Sequence, residues 1–272
     1  MNKDYDLLVV EDEPVVLSAI KKIVEPEHLR VDEAFDVDTA YVKIRDSSYS
    51  LILSDLMLPK RSGFDLLEVI KKEKPELPVI VITGYATLES SLRSFKLGSF
   101  DFIAKPFDTE AFLGVVHRAL RYGLKARENK SLGSQCVPVS ESLGGGGKKN
   151  NLYCLGGHAW IKLEADGTVL IGIGETFPNM IENLERLELK TNNEEIIMGT
   201  CCARFLTKEG FINMFWAPLS GKVISYNNKL EQNVQLINST PFSQAWLFRL
   251  IPSNLNDELI HLNCCINHTD VK

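Results

Sequence analysis

Residues 51–59 read Leu-Ile-Leu-Ser-Asp-Leu-Met-Leu-Pro, an apolar run that turns acidic at Asp55 and is stopped by proline. A run that is apolar without alternation fits a strand buried on both faces of a parallel sheet. Working outward, four further short runs frame it: Leu7 to Val10, Leu29 to Glu33, Val79 to Thr83 and Phe102 to Ala104. Between them apolar residues recur at helical spacing, as in Val16, Ala19, Ile20 and Ile23, and again in Phe112, Val115, Val116 and Ala119. Pro14 suits the first turn of the first of these helices, where its missing N–H would be unpaired anyway. Strands alternating with helices over residues 1–123 imply an α/β fold, a doubly wound parallel sheet with helices on both faces.

In such a sheet the reactive site lies just beyond the carboxyl ends of the strands. Those ends carry Glu11, Asp12, Asp55, Thr83 and Lys105. Three carboxylates at one edge repel each other unless a hard cation sits among them, and an all-oxygen ligand set suits Mg2+. Phosphoryl transfer requires a nucleophile, a metal bridging the phosphoryl oxygens and a fixed positive charge. Asp55, the acidic cluster and Lys105 can supply these parts.

Four segments carry a family resemblance: VVEDEP (9–14), LILSDLMLP (51–59), VIVITGYA (79–86) and DFIAKPF (101–107). In order and spacing they resemble the signature segments of response-regulator receiver domains, whose fold is a flavodoxin-like (βα)5 sandwich. The resemblance implies that Asp55 is the phosphoacceptor, loaded by a sensor histidine kinase or a phosphotransfer protein. It implies that Asp12 ligates Mg2+, that Glu11 acts largely through water, and that Met57 contributes its backbone carbonyl. It makes Thr83 and Phe102 the switch residues, Lys105 the fixed cation and Pro106 a cis proline. Met57 and Tyr85 occupy positions that tune loss of the phosphoryl group, and their bulk leads to an expectation of slow self-dephosphorylation. No enzymatic activity beyond the domain's own phosphorylation and dephosphorylation is expected, and a phosphorylation-dependent homodimer is among the outputs the resemblance allows.

The whole chain has 272 residues, a formal net charge of −6, 44% hydrophobic and 24% charged residues, a composition suited to two globular domains. The acidic balance argues against nucleic acid as a partner. It also weighs against a DNA-binding reading that would use Lys125, Arg127, Lys130, Lys148 and Lys149. No stretch has the ~18 apolar residues of a membrane span. The first residues are too sparsely apolar for a signal peptide, so a cytoplasmic protein is expected. The cysteines, at 136, 154, 201, 202, 264 and 265, lack the spacing of a metal or dithiol site and are expected to be free thiols.

Residues 124–150 become charged, then Ser- and Gly-rich, with four glycines at Gly144 to Gly147, and are expected to form a flexible linker. From 151 to 252 the pattern shifts to alternation, with a hairpin signal at Asp166-Gly167, which predicts a mainly antiparallel β domain. Phe177, Met180, Ile181 and Leu184 fall at i, i+3, i+4 and i+7 and predict one short helix within it. The three tryptophans, Trp160, Trp216 and Trp246, are expected in its core or at an interface. Residues 253–272 form a C-terminal tail, with Leu255, Leu259, Ile260 and Leu262 predicting a short amphipathic helix docked on that domain.

GHAWIKLEADGTVLIGI (157–173), FWAPLSGKVISYN (215–227) and QLINSTPFSQAWLFRL (235–250) resemble the glycine cleavage system H protein, a barrel-sandwich hybrid of the lipoyl-domain type. That family carries lipoate on a lysine at a hairpin tip, seven residues before the alanine of its A-P-x-S-G run. Counting back from Ala217 reaches Gly210, and Lys208 stands two residues away. Lys208 is therefore read as a solvated turn residue beside Glu209-Gly210, with lipoylation as the alternative. The expected function is a two-component response regulator that signals to an unknown downstream protein through an H-protein-like output domain. The competing reading is a phosphorylation-gated lipoyl carrier.

Overall fold

The computed structural model describes residues 4–132, 151–239 and 244–264. The chain divides into two units, Met1–Ser134 and Gln135–Lys272.

The first unit contains β1 (Asp4–Val10), α1 (Pro14–Val24), β2 (Val31–Ala34), α2 (Val37–Asp46), β3 (Ser48–Asp55), α3 (Gly63–Glu73), β4 (Val79–Thr83), α4 (Leu88–Lys96), β5 (Asp101–Ala104) and α5 (Thr109–Leu132). The sheet is parallel in the order β2-β1-β3-β4-β5. Chain order therefore reverses direction between β1 and β3, and such a switch point opens a crevice at the carboxyl ends of those strands. The register aligns those ends: Val10 pairs with Ser54, Asp55 with Ile82 and Thr83 with Ala104.

Strand interiors are fully buried, including Leu7, Leu8, Leu51, Ile52, Ile80 and Val81, as the unalternating runs require. Each helix turns one apolar stripe inward: Leu17, Ile20 and Val24 on α1, Leu66, Leu67 and Ile70 on α3, Phe112, Val116 and Ala119 on α5. Pro14 opens α1 as expected. α5 packs so closely on β3 that a Cβ at Gly123 would lie 2.8 Å from the Ser50 carbonyl.

α5 does not stop at residue 123 but continues to Leu132, so the start of the expected linker is helical. The segment KARENK contains only good helix formers apart from Asn, and a solvated helix has the same composition as a charged linker. The glycine run and Cys136 lie outside the described residues.

The second unit is mainly antiparallel β: β6 (Leu152–Leu155), β7 (Ala159–Leu163), β8 (Val169–Ile173), β9 (Leu184–Leu189), β10 (Glu195–Ile196), β11 (Cys201–Thr207), β12 (Ile212–Trp216), β13 (Gly221–Tyr226), β14 (Trp246–Pro252) and β15 (Asn263–Cys264). Short helices α6 (Lys229–Gln232), α7 (Leu236–Ser239) and α8 (Leu255–Leu259) interrupt it. One sheet runs β10-β13-β14-β8-β7-β6-β15, and a second runs β12-β11-β9. Asp166-Gly167 makes the β7–β8 turn, with Gly167 at φ 82° and the Glu164 N–H donating to the Thr168 carbonyl. His158, Phe177, Phe205 and Phe215 form an aromatic cluster in the core. Trp160 is buried against Gly172, where a Cβ would come within 2.1 Å of the indole.

Three expectations are corrected here. No helix spans Phe177 to Leu184: turns closed by the Met180 N–H on the Phe177 carbonyl occupy the segment, and Leu184 already belongs to β9. Asn179 and Asn183 adopt left-handed conformations, φ 59° and 47°, which end any helical run, while Phe177, Ile181 and Leu184 are buried all the same. The tail is more than a docked helix, because β15 pairs with β6 and completes the larger sheet. Cys154 is disulfide-bonded rather than free, whereas Cys201 and Cys202 are free thiols.

Candidate functional site

The carboxyl ends of β1, β3 and β5 bring Glu11, Asp12, Asp55 and Lys105 together. β3 buries its last residues, so Asp55 is buried although it is charged. Its loop is fixed by sequence: Ser62 and Asp65 form a reciprocal capping box at the start of α3. Gly63 donates its N–H to the Leu56 carbonyl, and a Cβ there would lie 2.0 Å from the Asp55 carbonyl oxygen. Only glycine permits α3 to start this close to the strand end.

One carboxylate oxygen from each of Glu11, Asp12 and Asp55 lies within 4.8 Å of the others. Lys105 Nζ is 2.6 Å from Asp55 Oδ2 and 2.7 Å from Glu11 Oε2, with Glu13 Oε1 further off at 3.8 Å. Asp55 Oδ1 accepts the Met57 N–H at 3.0 Å, and Glu11 Oε1 accepts the Glu13 N–H at 3.3 Å. Burial pushes the Lys105 ammonium toward deprotonation, but hydrogen bonds and charge from Asp55 and Glu11 outweigh it and hold the pKa above the usual lysine value. Burial also pushes the Glu11 carboxyl up, and Lys105 only partly reverses this. The three carboxylates, two of them clamped to the Lys105 ammonium, make a donor set of hard oxygens that fits Mg2+.

Thr83 is buried at the end of β4, and its Oγ1 accepts the Tyr85 N–H at 3.1 Å. Phe102 is inward, 5% exposed, on β5, and the Lys105-Pro106 bond is cis. Met57 and Tyr85 are 58% and 70% exposed, side chains held out beside the site rather than packed over it.

Lys208 lies in the second unit, exposed in the turn between β11 and β12. The Gly210 N–H donates to the Thr207 carbonyl, which makes Lys208 and Glu209 the central residues of that turn, and Gly210 takes φ 87°. Asn183 braces the tip, its carbonyl accepting the Lys208 N–H and its Nδ2 donating to Glu209 Oε1. Lys208 thus occupies a central position of the turn between β11 and β12.

A residue pair not anticipated from sequence lies at the other end of β5. Asp101 and Arg118 form a fully buried ion pair, with the guanidinium 4.9 Å from the centre of the Phe100 ring. Asp101 Oδ1 also accepts the Phe102 N–H at 2.7 Å. The available signal was a lone arginine among the apolar residues Val115, Val116 and Ala119 of one helix face.

The first unit is thus a doubly wound α/β domain with a carboxylate–lysine centre at its switch point. Residues 7–117 match the family model of the response regulator receiver domain, and residues 152–265 match that of the glycine cleavage H-protein. The chain therefore joins a response regulator receiver domain to a glycine cleavage H-protein domain.

Among curated relatives, the nitrogen assimilation regulatory protein NtrX of Azorhizobium caulinodans is 35% identical over 143 residues, 51% of this chain and 32% of that protein. The transcriptional regulatory protein DltR of Streptococcus agalactiae is 35% identical over 124 residues, 46% of this chain and 55% of that protein. The chain thus spans between a third and about half of the length of these two relatives. The crystal structure of the receiver domain of NtrX from Brucella abortus is 37% identical, covers 42% of this chain and 98% of its own, and has a TM-score of 0.41. Among the described residues, no helix is long and apolar enough to cross a membrane.

Proposed function

We propose that this protein is a two-component response regulator that accepts a phosphoryl group on Asp55 and signals through protein contacts of its H-protein-like domain. The observation that carries the reading is the Lys105 ammonium held 2.6 Å from the Asp55 carboxylate and 2.7 Å from Glu11, with Asp12 completing an acidic cluster.

Glu11, Asp12, Asp55 and the Met57 carbonyl are the groups that would hold Mg2+, which supplies charge neutralisation for the phosphoryl oxygens. The chemistry of the chain is then simple. A carboxylate oxygen of Asp55 attacks phosphorus, the bond from phosphorus to the donor's histidine nitrogen breaks, and an aspartyl phosphate remains. Lys105 shifts its partnership from the carboxylate to the new phosphoryl oxygens, as an obligate donor of N–H bonds must. The Thr83 hydroxyl, which uses an oxygen lone pair for the Tyr85 amide, keeps its own proton free to donate to a phosphoryl oxygen. Phe102 is the neighbouring aromatic on which such a rearrangement would be read, and a two-state loop biased by a new dianion is a sufficient switch. The donor is a sensor histidine kinase or a phosphotransfer protein, and the downstream partner is a protein.

The test uses the full chain with acetyl phosphate and Mg2+, followed by phosphate-affinity electrophoresis and intact mass. Wild type should gain one phosphoryl group, and Asp55→Ala should gain none. Equal labelling of the two, or no labelling of wild type by small-molecule and kinase donors alike, would overturn the reading.

The placement of Lys208 at the centre of an exposed, braced turn favours a second reading, a lipoyl carrier whose partner access is gated by phosphorylation. Intact mass of the chain isolated from its native cells decides it: one lipoyl group lost on Lys208→Arg supports it, and an unmodified Lys208 removes it.

A further inference from the structure

Glu13 stands beside the acidic cluster without being one of its three carboxylates. Its N–H donates to Glu11 Oε1 at 3.3 Å, whereas its own Oε1 lies 3.8 Å from Lys105 Nζ, beyond the 2.6 and 2.7 Å at which Asp55 and Glu11 hold that ammonium. The Glu13 side chain is 65% exposed against 13% for Lys105, so its carboxylate sits on the solvent side of the cation. Glu13 is also the N-cap residue of α1 but forms no side-chain cap bond, so the start of the helix does not need the carboxylate.

We propose that Glu13 is a specificity-determining residue for phosphotransfer that selects donors by charge, holding back freely diffusing dianionic phosphodonors relative to donors that carry less negative charge. The inference rests on the reading of Asp55 as the phosphoacceptor. Glu11, Asp12 and Asp55 against Lys105 leave a charge that one divalent cation cancels, and Glu13 is a further carboxylate outside that balance. The mouth of the loaded site is therefore negative before any donor arrives, and a donor reaches Asp55 past the ammonium that Glu13 flanks.

Repulsion scales with the product of the charges, so a dianion feels twice the repulsion of a monoanion at the same distance. For an exposed pair ~6 Å apart in water at low salt, this slows encounter about tenfold for a dianion and about threefold for a monoanion. At 1 M salt the screening length is about 3 Å and most of the effect is gone. The transfer itself is the same for either kind of donor. A carboxylate oxygen of Asp55 forms the new bond to phosphorus, and acetate leaves acetyl phosphate with the electron pair of the broken P–O bond, or ammonia leaves the already protonated nitrogen of phosphoramidate with that of the P–N bond.

The experiment labels the full chain as wild type, Glu13→Gln and Glu13→Lys, with dianionic acetyl phosphate and with monoanionic phosphoramidate, at neutral pH and low salt. Mg2+ is kept saturating for each protein, saturation being read from the rise in melting temperature. Glu13→Gln should label about tenfold faster than wild type with acetyl phosphate and about threefold faster with phosphoramidate, and Glu13→Lys should exceed it with both. In 1 M salt both gains should fall below about twofold. A carboxylate at a helix N-terminus also suits the helix dipole, but loss of that effect lowers the melting temperature and does not distinguish donors. Equal rates in the three proteins, a gain no larger for acetyl phosphate than for phosphoramidate, or a gain that persists in high salt would each overturn the inference and leave the phosphoacceptor reading standing. No labelling of any of the three by either donor would overturn that reading and the inference with it.

Discussion

Arg118 is the residue whose removal should cost the receiver domain most for the least change in shape. Its guanidinium is fully buried in α5, paired with the equally buried Asp101 at the head of β5. In Arg118→Met the aliphatic stem survives while Asp101 keeps a buried carboxylate without its cationic partner, a loss of about 3–5 kcal/mol. With a urea dependence of about 1.5–2 kcal/mol per molar for a domain of this size, the unfolding midpoint should fall by roughly 2 M. Replacing both members, Asp101→Leu with Arg118→Met, removes the orphan charge and should recover most of the loss. The assay is aided by the sequence: all three tryptophans, at 160, 216 and 246, lie in the second unit. Tryptophan fluorescence therefore follows that unit and serves as an internal control, while far-UV circular dichroism follows the helices, most of which lie in the first. A midpoint change below about 0.5 M in the single variant, or a double variant less stable than the single, would refute the reasoning.

Gly63→Ala should destabilise the first unit by about 1–3 kcal/mol and slow labelling of Asp55 by acetyl phosphate, because its Cβ would lie 2.0 Å from the Asp55 carbonyl oxygen. Thermal melts and labelling time courses check both effects, and a variant that melts and labels like wild type counts against the contact. Lys105→Met removes a cation that competes with metal for Glu11 and Asp55, so Mg2+ should raise the melting temperature of the variant more than that of wild type. A smaller rise would show that Lys105 assists metal binding instead. Burial pushes the Asp32 carboxyl up, but hydrogen bonds from Lys43 and Tyr49 win and hold it below the ordinary value. A depressed folded-state pKa contributes stability that is complete above the unfolded-state value near pH 4 and is lost as pH falls through the folded value. Asp32→Asn should therefore cost about 1–2 kcal/mol at neutral pH and nothing at low pH. Parallel denaturation curves at all pH values would contradict this.

The receiver half was legible because each of its signals is local. Leu51 to Ser54 and Val79 to Thr83 are apolar without alternation, so they read as buried strands, and strand polarity then places Asp55 and Thr83 at one edge without further information. What escaped notice was long-range or conformational. Asp101 and Arg118 are 17 residues apart, and nothing in either neighbourhood alone says that the two charges meet. The stretch Phe177 to Leu184 has a helical period but not a helical backbone. Two left-handed asparagines decide the matter, and burial of Phe177 and Ile181 satisfies the same spacing through turns. α5 overran its expected end because a charged, glycine-free segment is equally compatible with a solvated helix and with a linker. β15 was missed because two residues carry no periodicity, and its pairing with β6 joins segments about a hundred residues apart.

Charge balance explains why the site can fold at all and why it should respond to phosphorylation. Glu11, Asp12 and Asp55 against Lys105 leave two negative charges, a deficit that one divalent cation cancels. Lys105 divides its ammonium between Asp55 and Glu11, and burial pushes Glu11 toward protonation, so the chain moderates the repulsion among its own carboxylates. Phosphorylation of Asp55 removes one carboxylate charge and adds a group carrying about −1.5 to −2, so the balance turns negative again even with the cation in place. The Thr83 hydroxyl, at the end of β4, accepts the Tyr85 amide through its oxygen and has a proton of its own to donate. A pull on that hydroxyl is transmitted to the backbone between β4 and α4, where Tyr85 and Leu88 are exposed. On the proposed function, the electrostatic excess and the exposed apolar surface would meet in one loop, and a change there would alter what another protein can bind.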